Sequence, residues 1–414
     1  MKNKIKENIN NPEVLEQLYQ QNKQDYSKSF TELSEEYNSD LVKFWKIRLA
    51  HETDIKAQEF SKPDLLIVLL LSLVTGLLAK LPTILSQINT EFFYTRNLAI
   101  IIFNGIILYT FWQNKIFNKK RLLTYGLIVL ILALFLNLLP NTGSDSVMLS
   151  MIHSPLLLWC LFGLSFISFD YKNMAKRIEF IRFNGELLIM TGLFLISGGM
   201  LTGITIGLFS EINMDIERFY MENIVIIGGV AAPIISFYLI RLYPTITNKI
   251  APVIARVFTP LVLITLAVYL VSIIFSQSNI FEDRNLLLLF NVMLIAVMAI
   301  IVFSISELDK SKKKNINVWF LFLLASLAII INSIALIAII LRATEGFTPN
   351  RTVVLISNIL IFVNLVLIAR HLYKSYYDPN QLNTVEQTVA KYLTIYAGYT
   401  IIVIFILPFL FGLK

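Results

Sequence analysis

Cysteine and histidine are scarce in this chain, whose 414 residues include one cysteine, Cys160, and three histidines. One cysteine excludes an internal disulfide and any zinc or iron–sulfur centre that needs several cysteines. The sequence also lacks the phosphate-loop, dinucleotide-binding and His-Glu-x-x-His motifs of common enzymes. We therefore expect no cofactor and no bound metal, and the sequence gives little support to an enzymatic role.

Charge is scarce as well, since 15% of the residues are charged whereas 56% are hydrophobic. This balance excludes an ordinary soluble globule and is typical of a chain embedded in a lipid bilayer. The formal net charge of +7 needs no nucleic acid to explain it, because basic loops meet anionic headgroups at the cytoplasmic leaflet. The predicted partner is therefore the bilayer.

Eleven apolar segments, each about as long as a membrane span, follow the polar first 62 residues. They lie near Leu65–Leu85, Leu98–Trp112, Leu122–Leu139, Val147–Phe169, Leu187–Phe209, Ile224–Ile240, Phe258–Phe275, Leu286–Ile305, Val318–Leu341, Val353–Ala369 and Tyr392–Leu413. Backbone amides in hydrocarbon must be paired within the segment, so each segment is predicted to be a helix. The expected fold is an all-α integral membrane protein whose transmembrane domain occupies 63–414.

Lysine and arginine alternate in number between the loops that join these segments. The N-terminal stretch holds ten, and the next four loops hold one, four, none and four. Because positive charge concentrates on cytoplasmic loops, this order predicts a cytoplasmic N-terminus, eleven crossings and an extracytoplasmic C-terminus. The second segment is the weakest, but removing it would send two later clusters of basic residues to the outside.

Residues 1–62 are polar, show helical periodicity and are predicted to form a small cytoplasmic helical cap. Asn11 followed by Pro12 is typical of a helix start. Apolar side chains recur at helical spacing later in the cap, for example Phe44, Trp45 and Leu49. The cap is either structural or a docking site for a cytoplasmic partner protein.

Polar residues within the spans are the candidates for lining a cavity. They are Asn332, Asn358, Asn364 and His153. Polar groups are costly in lipid and should face protein or water. The asparagines therefore either bond between helices or line a hydrated cavity, and His153 either bonds a neighbouring carbonyl or belongs to a proton path.

Two charged residues are predicted to lie at the ends of spans, and a row of glycines is predicted to lie on one face of the fifth span. Lys80 is predicted to extend to the outer interface, and Glu186 to occupy the start of the fifth span as a helix-start acid. The fifth span also contains Gly199, Gly203 and Gly207 at four-residue spacing. That spacing favours a close helix crossing, with a hinge as the alternative.

The turn between the ninth and tenth segments combines charged and turn-forming residues. Thr348 or Asn350 can begin the next helix, and Arg342 and Arg351 flank Glu345. Arginine side chains suit carboxylate or phosphate groups. The turn is therefore a candidate ligand site, formed by Arg342, Glu345, Thr348 and Arg351, for a small anion or lipid headgroup. The alternative is interfacial anchoring with an internal Arg–Glu pair.

Arg342 and the sequence Gly346-Phe347-Thr348-x-x-Arg351 resemble a turn in a family of bacterial multi-pass membrane proteins known only as a domain of unknown function. Members commonly have Gly-Leu-Thr-x-x-Arg there, so Phe347 replaces a leucine. The polar opening at 11–19 also looks like a prefix that some members carry. The resemblance implies a multi-pass protein of the bacterial cytoplasmic (inner) membrane and implies no substrate.

Three functions stay open at this point. The leading one is transport or permeation of a small solute or lipid-like molecule, because asparagines and glycine-rich spans are consistent with a cavity between movable helices. One alternative is a non-transporting scaffold or sensor whose cap binds a cytoplasmic partner. The other is a membrane enzyme that grips an anionic lipid or glycan with the Arg342–Arg351 turn.

Overall fold

The computed structural model describes residues 2–21, 26, 29–30, 32–34, 37, 39–56, 62–85, 87–141, 143–211, 214–275, 284–308, 316–344, 346–378 and 381–413. Within these ranges the chain is helical and has no strand. It divides into two compact units, Met1–Leu65 and Leu66–Lys414. We call them the N-terminal unit and the membrane unit.

The N-terminal unit contains α1 (Lys2–Glu7), α2 (Pro12–Gln21) and α3 (Asp40–Lys56). The side-chain oxygen of Asn11 accepts hydrogen bonds of 3.2 and 3.3 Å from the backbone N–H groups of Glu13 and Val14. These bonds satisfy amides that have no partner inside the helix. The predicted start of this helix is confirmed.

Aromatic rings around Trp45 form the core of the N-terminal unit. The ring centroid of Tyr26 lies 5.0 Å from that of Trp45, a distance at which aromatic pairs attract. Phe44, grouped by the sequence with Trp45, is instead 56% exposed, and Ile47 is 63% exposed. The reason is helical geometry, because Trp45 and Leu49 share the buried face while Phe44 lies about 100° away.

From Lys62 onward the helices are α4 (Lys62–Ala79), α5 (Leu81–Ile84), α6 (Thr90–Gln113), α7 (Lys119–Leu138), α8 (Asp145–Phe166), α9 (Met174–Glu211), α10 (Glu217–Tyr220), α11 (Ile226–Leu242), α12 (Pro244–Phe275), α13 (Arg284–Ser306), α14 (Ile316–Ala343), α15 (Pro349–Tyr377), α16 (Leu382–Phe405) and α17 (Leu407–Leu410). A π-helical turn, Met221–Val225, joins α10 to α11.

Eight helices are long and apolar enough to cross a membrane, counted over the described ranges. They overlap the predicted segments two to six and nine to eleven. The first, seventh and eighth predicted segments fall in α4, α12 and α13, whose described apolar stretches are shorter: Pro63–Ala79, Ala255–Val268 and Phe290–Ser306. The eight helices indicate a multi-pass membrane protein, whereas eleven crossings stay a prediction.

Helix α9 is the longest of the described helices, with 38 residues, or about 57 Å at 1.5 Å per residue. It begins at Met174, where the side-chain oxygen of Asn173 accepts a 3.2 Å hydrogen bond from the backbone N–H of Lys176, and residues 174–184 contain neither proline nor glycine. Glu186 therefore lies well inside α9, and the prediction that it marks a helix start is wrong.

Two hydrophobic clusters form most of the core of the membrane unit. One is built from α12 to α16, and the other mainly from α4, α6, α8 and α11. The first part of α9 contributes to both, since Ile178 and Ile181 belong to the former cluster and Phe180 and Phe183 to the latter. This part of α9 is the seam between the two clusters.

The predicted close crossing at Gly199, Gly203 and Gly207 is absent, since no described atom lies within 4 Å of a Cβ built at any of them. All three glycines are exposed, and none of the described helices packs against the stripe. A close approach occurs instead at Gly185, where an added Cβ would overlap the ring of Phe303.

Candidate functional site

Four charged side chains converge at the seam, and we call them the glutamate–arginine cluster. Arg182 and Glu186 lie on α9, Arg241 lies near the end of α11, and Glu307 directly follows α13. Arg182 and Glu186 share a helix face because they are four residues apart. The cluster therefore links both hydrophobic clusters at one end of the membrane unit.

Arg182 joins α9 to the end of α13. Its Nε lies 3.1 Å from Oε1 of Glu307 and donates a 3.2 Å hydrogen bond to the carbonyl oxygen of Ser306. Ser306 ends α13, where unpaired carbonyl groups favour a cation. Burial raises the pKa of the Glu307 carboxyl, and the positive charge of Arg182 opposes this effect.

Glu186 has an unusual environment for a carboxyl group. The residue is 6% exposed, and it has no hydrogen bond or ion pair within the part of the chain that the structure describes. The charges that act on it are those of Glu307, Arg182 and Arg241. A buried carboxylate without a hydrogen-bond donor is costly, so this side chain is the centre of the candidate site.

Arg241 is held among aromatic rings beside the cluster. The central carbon of its guanidinium lies 5.4, 5.6 and 5.8 Å from the ring centroids of Phe166, Phe183 and Phe237. Cations are attracted to aromatic faces within about 6 Å. The three rings therefore confine a positive charge next to Glu186.

A small pocket with both polar and apolar lining residues adjoins Glu307, between α12, α13 and the start of α14. The hydroxyl oxygens of Thr259 and Ser304 are 2.9 Å apart in its wall, and Arg256 and Asn317 also line it. Its volume is about 20 Å³, which is room for about one water molecule. The pocket suits water or a proton and is too small for an organic solute.

The turn predicted as a ligand site is closed by its own hydrogen bonds. The hydroxyl oxygen of Thr348 accepts a 3.3 Å bond from the backbone N–H of Arg351, which confirms Thr348 as the cap of α15. The guanidinium of Arg351 donates a 2.9 Å bond to the carbonyl oxygen of Gly346. Arg342 lies in the last turn of α14, and Glu345 lies outside the described residues. Ligand binding here stays a prediction.

The three predicted cavity-lining asparagines are buried in helix–helix contacts. The side-chain amide of Asn332 donates a 3.1 Å bond to the carbonyl oxygen of Asn358, whose own amide donates a 2.8 Å bond to Asn291. Asn364 donates a 3.0 Å bond to the hydroxyl of Tyr396. These bonds connect α15 to α14, α13 and α16, and a cavity-lining role stays a prediction.

The remaining two polar candidates also have protein partners. Nδ1 of His153 lies 2.8 Å from the carbonyl oxygen of Leu149, one helical turn earlier. Lys80, which was predicted to extend to the interface, donates a hydrogen bond to Asn223 in the π-helical turn. Sequence reasoning thus identified neither the partner of Lys80 nor the glutamate–arginine cluster.

The eight long apolar helices indicate that the molecule is a multi-pass membrane protein. No protein-family model, curated protein or solved structure matches the chain. The resemblance noted at the Arg342–Arg351 turn therefore depends on the residues of that turn and of the polar opening.

Proposed function

We propose that this protein transports a small solute or lipid-like molecule across the bacterial cytoplasmic membrane. The observation that supports this function is the glutamate–arginine cluster at the seam between two packed halves, in which the carboxyl-bearing side chains of Glu186 and Glu307 are both about 6% exposed. Ionisable groups are retained inside membrane helices mainly where they serve ion or substrate pathways. A charged seam between two helix groups also suits a protein whose halves move against each other.

The proposal includes eleven crossings, with the N-terminus in the cytoplasm and the C-terminus outside. Contacts between helix ends support this arrangement. Ser150, early in α8, donates a 2.8 Å hydrogen bond to the carbonyl oxygen of Ile404, late in α16. Arg177, early in α9, donates a 2.8 Å bond to the carbonyl oxygen of Ala390 in the first half of α16. Eleven alternating crossings place both members of each pair on the same side.

Transport is tested with the purified full chain in liposomes. The assay follows labelled amino acids, sugars and organic anions, together with a fluorescent phospholipid that reports movement between leaflets. We expect the wild type to move at least one of these probes, Glu186→Gln to lose that movement, and the exposed control Glu217→Gln to keep it. Wild-type liposomes that match protein-free liposomes for every probe would contradict the proposal.

A second candidate function is binding of a cytoplasmic protein by the N-terminal unit. It is favoured by Phe44 and Ile47, which are exposed one helical turn apart on α3. The test is photo-crosslinking from residue 47 of the full-length protein in cells. A specific adduct that disappears in Phe44→Asp supports this function, and the absence of any adduct opposes it.

A further inference from the structure

The protonation state of Glu186 is the starting point. The residue is 6% exposed, and no hydrogen bond or ion pair among the described residues involves its carboxyl group. Burial without a donor penalises a carboxylate far more than a neutral carboxylic acid. A proton bound to Glu186 would therefore remove the main energetic conflict in the glutamate–arginine cluster.

The arginine side chains around Glu186 already interact with other groups. On α9, Arg182 is paired with Glu307 and with the carbonyl oxygen of Ser306. On α11, the guanidinium of Arg241 lies over three phenylalanine rings. It also interacts electrostatically with Glu179 and Glu186 on α9 and with Tyr109 on α6. On α12, Arg256 acts on Glu307. The negative charges of Glu186 and Glu307 repel each other. Binding of one positive charge would therefore reduce this repulsion.

The pocket next to Glu307 restricts what that added charge can be. It accommodates about one water molecule, and the hydroxyl groups of Thr259 and Ser304 offer the partners that such a water needs. Arg256 lines the pocket, and Arg182 is paired with Glu307 at 3.1 Å. Two guanidinium groups so close disfavour a metal cation, whereas a proton becomes part of a neutral carboxyl group.

We propose that Glu186 and Glu307 together bind a single proton, which arrives through the Thr259–Ser304 pocket and is the coupling ion of transport. The step is an acid–base reaction in which hydronium and a carboxylate become water and a carboxylic acid, with no change in oxidation state. The role as a coupling ion rests on the proposed function, whereas proton binding itself does not.

The test is an infrared pH titration of the purified full chain in lipid nanodiscs, without any transported solute. The signal is the carbonyl-stretch band of a protonated carboxyl group. We expect a band in the wild type that disappears as the pH is raised, that is lost in Glu186→Gln and in Glu307→Gln, and that is retained in Glu217→Gln. Thermal unfolding of each variant identifies any that fail to fold.

Two outcomes overturn the proposal. One is the absence of a titrating band that depends on either glutamate. The other is a titration that shifts with sodium concentration at constant ionic strength, because that result indicates a metal cation. A titrating band in a protein that moves no probe in liposomes would reject the transport function and leave the proton site in place.

The rate of proton release gives an independent check of the pocket. After a pH jump, Thr259→Val and Ser304→Ala together should slow the loss of the infrared band without changing the number of protons released. Unchanged kinetics in this double variant would remove the pocket from the proposed path.

Discussion

Arg96 donates a 2.7 Å hydrogen bond to the carbonyl oxygen of Leu139, the residue that follows α7. Arg96 is 1% exposed, also donates to the carbonyl oxygens of Leu136 and Pro140, and lies 4.0 Å from the ring centroid of Phe92. The negative end of a helix thus balances a buried guanidinium. This contact fixes the start of α6 against the end of α7.

Replacing Arg96 by methionine should destabilise the membrane unit. The substitution keeps much of the apolar stem but leaves buried carbonyl groups unpaired, which costs about 2–4 kcal/mol. The measurement is thermal unfolding in nanodiscs, with Arg218→Met as the control because the Arg218 side chain is 89% exposed. Equal unfolding midpoints for the two variants would mean that the carbonyl contacts contribute little.

Two glycines on α9 should respond in opposite directions to the same substitution. Gly185→Ala places a methyl group against the ring of Phe303 and should cost about 1–3 kcal/mol by overpacking. Gly203→Ala meets no described atom within 4 Å and should be neutral or stabilise the helix by up to about 1 kcal/mol. Unfolding midpoints of both variants test this contrast, and Phe303→Leu should partly rescue Gly185→Ala.

The stability of the protein should depend on the titration of Glu307. Its pKa is raised above the ordinary value of 4.5, so the folded state holds this proton more tightly than the unfolded chain. The resulting stabilisation is full below the ordinary pKa and is lost as the pH rises through the raised value. Glu307→Gln cannot titrate, so its unfolding midpoint should fall less than that of the wild type as the pH increases. Parallel profiles for the two proteins would contradict this.

Labelling of single cysteines should place the two termini in different compartments. In a Cys160→Ala background, we expect Leu410→Cys to react with a membrane-impermeant maleimide in intact cells. Lys4→Cys should react only after the cells are permeabilised, because an odd number of crossings separates the ends. Labelling of both positions under the same condition would exclude eleven crossings.

Helix ends with polar side chains were predictable from local sequence. Asn11 and Thr348 begin helices in the structure as their residue types favour, because capping involves neighbours within three residues. The glycine stripe on α9 was not predictable in the same way. Four-residue spacing creates a smooth helix face, but a close crossing also needs a second helix at that height, and none of the described helices lies there.

In the candidate site, too, local sequence identified single residues but not the residues that they contact. Asparagines stand out in an apolar sequence, so Asn332, Asn358 and Asn364 were identifiable one at a time, although their partners were not. Glu186 looked like an ordinary charge at the edge of a span, because nothing nearby in sequence reveals that Glu307 and Arg241 approach it. That approach depends on how α9, α11 and α13 pack.

The amino-acid sequence alone determined that this chain is an α-helical multi-pass membrane protein, because apolar length and backbone hydrogen bonding in hydrocarbon are local requirements. Only the tertiary structure decided which charges meet, because side chains more than a hundred residues apart come together through helix packing. The glutamate–arginine cluster belongs to this second kind of information, since Arg182 and Glu307 are an ion pair only after α9 and α13 are in contact.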